Sequence, residues 1–284
     1  MQIKQVGVLG AGTMGAGIAQ VCAEAGLGVV LVDVDASVIE KAIKGINKAW
    51  QKAVEKGKLD EAGLSKRIAN LADDTDMAQL AVCDVVIEAI VENMEVKKKV
   101  FAQLDEICKP EAILSSNTSA LSITEIATAT KRADRVVGMH FFNPVPVMKL
   151  VEVIPGSEAV DEATDAIMAL CKTIGKEPVK AKESPGFIVN RLLVPYLNEA
   201  AFAFQDGVAS AEEIDKAMKL GANMPIGPLA LCDMVGIDVL LSVCEYYWRE
   251  FGDSKYRPSL ALKQKVRAGH LGIKSGRGFY DYKK

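Results

Sequence analysis

Histidine is nearly absent from these 284 residues; only His140 and His270 occur. The six cysteines (Cys22, Cys83, Cys108, Cys171, Cys232 and Cys244) form no CxxC pair and have no histidine cluster beside them. A zinc site or any other metal site is therefore not expected, nor is a disulfide scaffold; reduced, packed thiols in a cytoplasmic protein fit better. Long apolar runs are also missing. The best, Met234 to Cys244, is broken by Asp238 and is too short to span a bilayer, so no membrane segment is expected. Met1-Gln2-Ile3-Lys4 runs directly into a strand-like stretch, so no secretory leader is expected. Basic charge is not in excess: 34 Lys and Arg face 37 Asp and Glu, for a formal charge of −3. That balance argues against a general nucleic-acid binder, and any anionic ligand must meet a local basic patch. No internal repeat or low-complexity tract is found.

What is present is the material of a sizeable core. Half the residues are apolar and a quarter charged, and the length exceeds one typical domain, so two are expected. Strands are predicted at Ile3–Gly10, Val29–Asp33, Asp84–Ala89, Ala112–Ser116, Arg135–His140, Leu150–Ile154 and Pro178–Ala181. Helical patterns separate most of them: Met14–Ala25, Ser37–Lys56, Met94–Cys108 and Glu162–Ile174. Alternation of this kind builds a mostly parallel sheet covered on both faces. The lysine-rich segment from about 37 to 70, with Leu59–Asn70 returning antiparallel, reads as a projecting helical arm. Beyond Ser184-Pro185-Gly186 the strand pattern stops. Serine followed by proline suits a helix N-cap, and the remaining predicted elements are helices: Phe187–Asp206, Ala211–Lys219, Val235–Glu250 and Ser259–Ala268. Val235–Trp248 is apolar almost all round, so it should be buried or lie in a subunit interface. The prediction is an α/β chain, with a first domain over 1–184 and a smaller all-helical domain over 185–284.

Gly10-Ala11-Gly12-Thr13-Met14-Gly15 follows a predicted strand and opens a helix. In that setting Gly10 makes the tight turn, Gly12 lets the backbone approach a pyrophosphate, and Gly15 permits close helix packing. The helix-start amides then face the phosphates. Asp33 ends the second strand, placed to accept bonds from ribose hydroxyls. Its charge opposes a 2′-phosphate by roughly 4 kcal/mol at about 4 Å and an effective dielectric near 20. A Rossmann-type domain that binds NAD in preference to NADP is the expectation.

His140 ends another strand, at the sheet edge where ligands bind in open parallel sheets. Glu152, twelve residues on, is placed to come back beside it, and a histidine–carboxylate pair is what removing a hydroxyl proton requires. Ser119 directly follows a strand end, and Asn190 lies in the first turns of the helix that opens the second domain. Either residue is of a type to hydrogen-bond a substrate oxygen across a domain cleft. From the residues alone, a helix N-cap at Ser119 and an ordinary helix-start polar group at Asn190 are equally good readings. His270 sits in a basic, glycine-bounded turn typical of surface.

Six motifs in order carry a resemblance over essentially the whole chain. They are Val8-Leu9-Gly10-Ala11-Gly12-Thr13-Met14-Gly15, Val86-Ile87-Glu88-Ala89-Ile90-Val91-Glu92-Asn93, Ser115-Ser116-Asn117-Thr118-Ser119, Gly138-Met139-His140-Phe141-Phe142-Asn143-Pro144, Ser184-Pro185-Gly186-Phe187-Ile188-Val189-Asn190-Arg191 and Gly276-Arg277-Gly278-Phe279-Tyr280. With them the chain resembles the L-3-hydroxyacyl-CoA dehydrogenase family, most of all its short bacterial members, which interconvert acetoacetyl-CoA and 3-hydroxybutyryl-CoA. The resemblance implies His140 as catalytic base and Glu152 as its orienting carboxylate. It also implies Ser119 and Asn190 as the groups that hold the substrate oxygens. Asp33 then resembles the ribose ligand, and Glu92, Lys97, Asn117, Asn143 and Lys274 resemble further NAD contacts. Lys52 and Lys56, spaced i, i+4 on one face of the arm, are similar to the pair that receives coenzyme A phosphates, although a solvated basic face is the plain alternative. A homodimer through the helical domain is implied as well. Dehydrogenases of 3-hydroxyadipyl-CoA or longer acyl chains remain alternatives. So do a crystallin-like structural protein and an NAD-binding regulator without turnover.

Overall fold

The computed structural model describes residues 2–283. The chain divides into two compact units, Met1–Phe187 and Ile188–Lys284. The first is an eight-stranded sheet between helices. Its elements run β1 (Gln5–Leu9), α1 (Thr13–Glu24), β2 (Gly28–Val32), α2 (Ala36–Glu55), α3 (Glu61–Ala69), β3 (Leu71–Asp74), β4 (Val85–Glu88), α4 (Met94–Ile107), β5 (Ile113–Ser116), α5 (Ile123–Ala127), β6 (Val136–Phe141), β7 (Leu150–Pro155), α6 (Asp161–Thr173) and β8 (Glu177–Lys180). Across the sheet the order is β3-β2-β1-β4-β5-β6-β7-β8. All neighbours are parallel except β6 and β7.

The central strands read as unbroken apolar runs because helices cover both their faces. On β4, Val85 and Ile87 enter the core layer formed with Ile18 of α1 and Trp50 of α2. Val86 enters the opposite layer, with Phe101 and Leu104 of α4. The sheet is thereby sandwiched between two apolar cores, and its strand ends are left to carry polar groups.

Two expectations for this unit change. Leu71–Asp74, which carries no strand pattern in the sequence, is an edge strand with no fully buried residue, paired in register with β2. The arm does not stand clear of the unit. On α2, Ile39, Ala42, Ile46 and Trp50 are buried in the core, and the Trp50 indole donates to Glu24 at 2.7 Å. The return helix α3 has no buried residue, but Asn70 at its end donates to the Ala23 carbonyl.

The second unit is helical: α7 (Val189–Gln205), α8 (Ala211–Gly221), α9 (Pro228–Val235), α10 (Ile237–Phe251) and α11 (Leu260–Arg267). Val194, Leu197, Ile237, Leu240, Tyr247 and Leu262 are among its core residues. The helix expected over Val235–Glu250 is α10, which starts at Ile237 because Gly236, with φ +100°, separates it from α9, a helix not expected from the sequence. Nor does α10 bury its whole circumference. Ile237, Leu240, Cys244 and Tyr247 are inside, while Val239 and Trp248 are about half exposed. Ser184 and Pro185 do not start a helix. Gly186 and Phe187 both take positive φ, and α7 begins only at Val189. The closing motif Gly276–Tyr280 is explained by Asp233: its carboxylate accepts the Phe279 and Tyr280 amides at 2.8 and 2.9 Å. A Cβ on Gly278 would lie 1.9 Å from that carboxylate.

Candidate active site

Parallel strands leave their carboxyl ends together at one sheet edge, and there the first unit gathers its polar residues. The loop after β1 makes its turn at Gly10, whose φ is +103°. The helix α1 then starts at Thr13 with no side-chain cap and no acidic residue in its first turn, so its leading amides remain available to an anion. A Cβ on Gly12 would meet nothing within 4 Å, whereas one on Gly15 would sit 1.7 Å from the Gly10 carbonyl oxygen. Gly12 therefore keeps space open for a ligand, and Gly15 lets the helix close onto the turn. Asp33, at the end of β2, accepts the Ala11 amide at 2.7 Å and the Asp35 amide at 3.1 Å. Each carboxylate oxygen retains a second lone pair for a ribose hydroxyl. A cleft of about 580 Å³ runs beside it, lined by Gly10, Gly12, Asp33, Val34, Ile90 and Val91 among others. An uncapped helix start, an open glycine, a strand-end carboxylate and an apolar cleft are together what a dinucleotide needs. These residues fit NAD.

The ends of β4, β5 and β6 hold the rest. His140 and Glu152 are register partners on the antiparallel pair β6–β7, which brings Nδ1 to 2.7 Å from Oε2. Both are buried, the histidine 4 % exposed and the glutamate fully enclosed. A carboxylate can only accept, so Nδ1 carries the proton and Nε2 is left as the basic nitrogen. Phe142 and Phe187 flank the ring, at 4.5 and 5.6 Å between centroids. The Asn117 side-chain oxygen accepts the Phe141 amide at 2.9 Å and so ties the end of β5 to the histidine's own strand. Ser119 lies in the next loop, where its amide donates to Glu92 at 2.9 Å. Ser119 is not an N-cap, since Ser122 caps α5.

Glu88, Lys97 and Glu92 form one cluster. The Lys97 ammonium lies 2.6 Å from Glu88 and 3.3 Å from Glu92. Glu88 also accepts from Ser116 and from the Ile90 amide, and Glu92 accepts the Thr118 hydroxyl at 2.6 Å. Sequence reasoning missed Glu88, Ser116 and Thr118 as site residues. The available signal was a glutamate closing the apolar run Val85-Val86-Ile87, a place where an ionised group survives only with partners.

The remaining predicted residues are more dispersed. Asn143, whose peptide bond to Pro144 is cis, lines a cleft of about 450 Å³ with Gly12, Thr13 and Lys41. Lys52 and Lys56 lie exposed at the end of α2. Asn190 and Lys274 belong to the second unit. Asn190 is the second residue of α7, and Lys274 pairs with Asp238 at 2.6 Å. All six cysteines are buried and unpaired; burial pushes the Cys22, Cys83, Cys171 and Cys244 thiols up to about 12. Among the described residues no group of acidic, histidine or cysteine side chains could hold a metal ion, and no helix is long and apolar enough to cross a membrane.

The strand order 3-2-1-4-5-6, with a glycine turn at the β1 end and an acid closing β2, defines an NAD-binding protein. Comparison with known proteins narrows the class. Residues 5–184 match the family described as "3-hydroxyacyl-CoA dehydrogenase, NAD binding domain", and residues 186–282 match its C-terminal domain. The chain is 50 % identical over 280 residues to 3-hydroxybutyryl-CoA dehydrogenase of Clostridioides difficile, covering 99 % of this chain and all of the relative. It is 50 % identical over 282 residues to a probable 3-hydroxybutyryl-CoA dehydrogenase of Bacillus subtilis, covering 99 % and 98 %. Among solved structures it is similar to (S)-3-hydroxybutyryl-CoA dehydrogenase from Ralstonia eutropha, with a TM-score of 0.97, 49 % identity and full coverage of both chains. The chain belongs to the 3-hydroxyacyl-CoA dehydrogenase family and is an NAD-dependent oxidoreductase.

Proposed function

We propose that the preferred substrate pair is 3-hydroxybutyryl-CoA and acetoacetyl-CoA, interconverted with His140 as general acid and base. The observation that carries the catalytic assignment is the 2.7 Å contact of His140 Nδ1 with the enclosed Glu152 carboxylate, which commits Nε2 to the substrate. In the oxidative direction Nε2 takes the proton of the 3-hydroxyl group, and Glu152 stabilises the imidazolium that forms. Ser119 and Asn190 hydrogen-bond the reacting oxygen. In reverse the imidazolium returns the proton to the 3-keto oxygen. NAD, when bound, supplies the hydride acceptor, and NADH the donor.

Gly10 to Gly15 and Asp33 hold the pyrophosphate and ribose of the cofactor. Asn117, Asn143, Glu92 and Lys274 add contacts, and Lys97 acts through the carboxylates that bind it. Lys52, in the last turn of α2, and Lys56, its C-cap residue, are both exposed and receive the coenzyme A phosphates. The four-carbon acyl preference draws its support from the Clostridioides difficile and Bacillus subtilis relatives and the Ralstonia eutropha structure. The half-exposed apolar residues Val235, Val239 and Trp248 support a homodimer through the second unit, and six reduced thiols support a cytoplasmic setting.

Steady-state kinetics with acetoacetyl-CoA, 3-ketoadipyl-CoA and a ten-carbon 3-ketoacyl-CoA, each with NADH and NADPH, test the reading. The expected result is the highest kcat/KM for acetoacetyl-CoA with NADH. A maximum at either of the longer substrates contradicts the four-carbon assignment, and the absence of turnover with all three leaves only nucleotide binding.

A further inference from the structure

The buried glutamate that ends β4 transfers neither proton nor hydride, yet it is fully enclosed and fully bonded. Glu88 accepts from the Lys97 ammonium at 2.6 Å, the Ser116 hydroxyl at 2.7 Å and the Ile90 amide at 2.7 Å. Lys97 is 1 % exposed, while the second carboxylate it touches, Glu92, is 43 % exposed. Two carboxylates and one ammonium leave the cluster with a net charge of −1. The charged side of it that reaches the surface is Glu92, whose other oxygen is bonded to Thr118 and Ser119.

The position of this charge matters because of how a dinucleotide crosses the sheet. It lies over the point where strand order reverses, between β1 and β4, with the adenosine ribose at the acid ending β2. By that rule Asp33 would hold the adenosine end, and the nicotinamide end would lie toward β4, β5 and β6, the strands that carry Glu88, Ser116 and His140. The nicotinamide ring is a cation in NAD and neutral in NADH. A net negative charge under that end stabilises the oxidised form selectively, and in a partly buried setting a unit charge acts strongly over such distances.

We propose that Glu88 is a positioning residue that sets the preference between oxidised and reduced cofactor. Shared between Glu88 and Glu92, the Lys97 ammonium cancels only one of the two carboxylates, so the cluster keeps a net charge of −1 on the side where Glu92 reaches the surface. Without Glu88 the ammonium would neutralise Glu92, and the cluster would carry no net charge. The consequence concerns relative affinity, so it is separable from a general loosening of the site, which weakens both cofactor forms alike. Charges common to all variants, such as that of Glu152, leave the comparison unaffected.

The test is the ratio Kd(NAD)/Kd(NADH), from fluorescence titration with NADH and competition by NAD, in the full-length protein. In Glu88→Gln the ratio is expected to rise on the order of tenfold, the effect of a unit charge about 10 Å away at an effective dielectric near 20. In the double variant Glu88→Gln/Lys97→Met the net charge returns to −1, and the ratio is expected to return to the wild-type value. A purely structural role predicts no such recovery. Glu92→Gln removes the same unit of charge with the buried pair intact, so it shifts the ratio in the same direction even if Glu88→Gln is not recovered as folded protein. A ratio within twofold of wild type in Glu88→Gln, or in Glu92→Gln where the first does not fold, overturns the proposal. So does a double variant that stays shifted.

Discussion

In the pair formed by His140 and Glu152, the carboxylate fixes both the orientation of the ring and the nitrogen that bears the proton, since it accepts from Nδ1 and cannot donate. Glutamine at position 152 has the same shape but offers an amide that can donate to Nδ1. The ring then turns to the tautomer whose Nε2 is already protonated and useless as a base. Glu152→Gln is therefore expected to lower kcat for hydroxyacyl-CoA oxidation by about 10²–10⁴-fold, with the Kd for NADH within a factor of about two. A near-normal kcat would show that the tautomer is set some other way. This pair was legible in the sequence from scarcity and spacing, a lone strand-end histidine and a glutamate twelve residues on. Glu88 was not, because an acid closing an apolar strand looks like a surface strand end until the folded chain places Lys97 and Ser116 against it.

Elements explain why the glycines of one loop are not interchangeable. At Gly12 an added methyl group meets open space, and the backbone there is ordinary for any residue, with φ −64°. At Gly15 it meets a carbonyl oxygen at 1.7 Å. Gly12→Ala is expected to leave stability within about 1 kcal/mol of wild type. It should nonetheless raise the KM for NAD by about tenfold or more, because the methyl stands where the diphosphate must approach. Gly15→Ala is expected to destabilise the fold by at least about 1–3 kcal/mol through overpacking. Thermal melts and NAD titrations of the two variants check this, and equal melting temperatures would contradict the packing account. The helices and strands around this loop were readable from apolar periodicity. The failures have local causes. Leu71-Ala72-Asp73-Asp74 gives no alternating signal because its edge position buries little. The helix α9 was not legible because it and α10 share one nearly continuous apolar stretch, and only the positive φ of Gly236 reveals that two helices meet there. Ser184-Pro185 mimics a helix start in composition but precedes two residues with left-handed backbone.

For the molecule as a whole, the candidate site and a structural tie sit at opposite ends of the first unit's sheet. The carboxyl edge carries the cofactor loop and His140; the amino edge is tied by Asp84, which accepts the Lys4 and Gln5 amides and the Lys109 ammonium. Partial burial pushes the Asp84 carboxyl up, but the Lys109, Lys4 and Gln5 hydrogen bonds outweigh it and hold the group below its ordinary value of 3.8. A lowered folded-state value means that the contribution is complete above 3.8 and is lost as pH falls through the lower value. Asp84→Asn should cost about 1–2 kcal/mol at pH 7, lowering Tm by a few degrees with kcat unchanged. The gap from wild type should close as the pH is taken below 3.8. A gap that persists at low pH would assign the loss to packing instead of charge.

The central claim is that one imidazole moves the proton while the cofactor moves the hydride, and acetoacetyl-CoA reduction by His140→Gln tests it most directly. The expected result is a kcat lower by about 10²–10⁴-fold with NADH still bound at wild-type affinity. Near-normal turnover in a variant that binds NADH would contradict the assignment of His140.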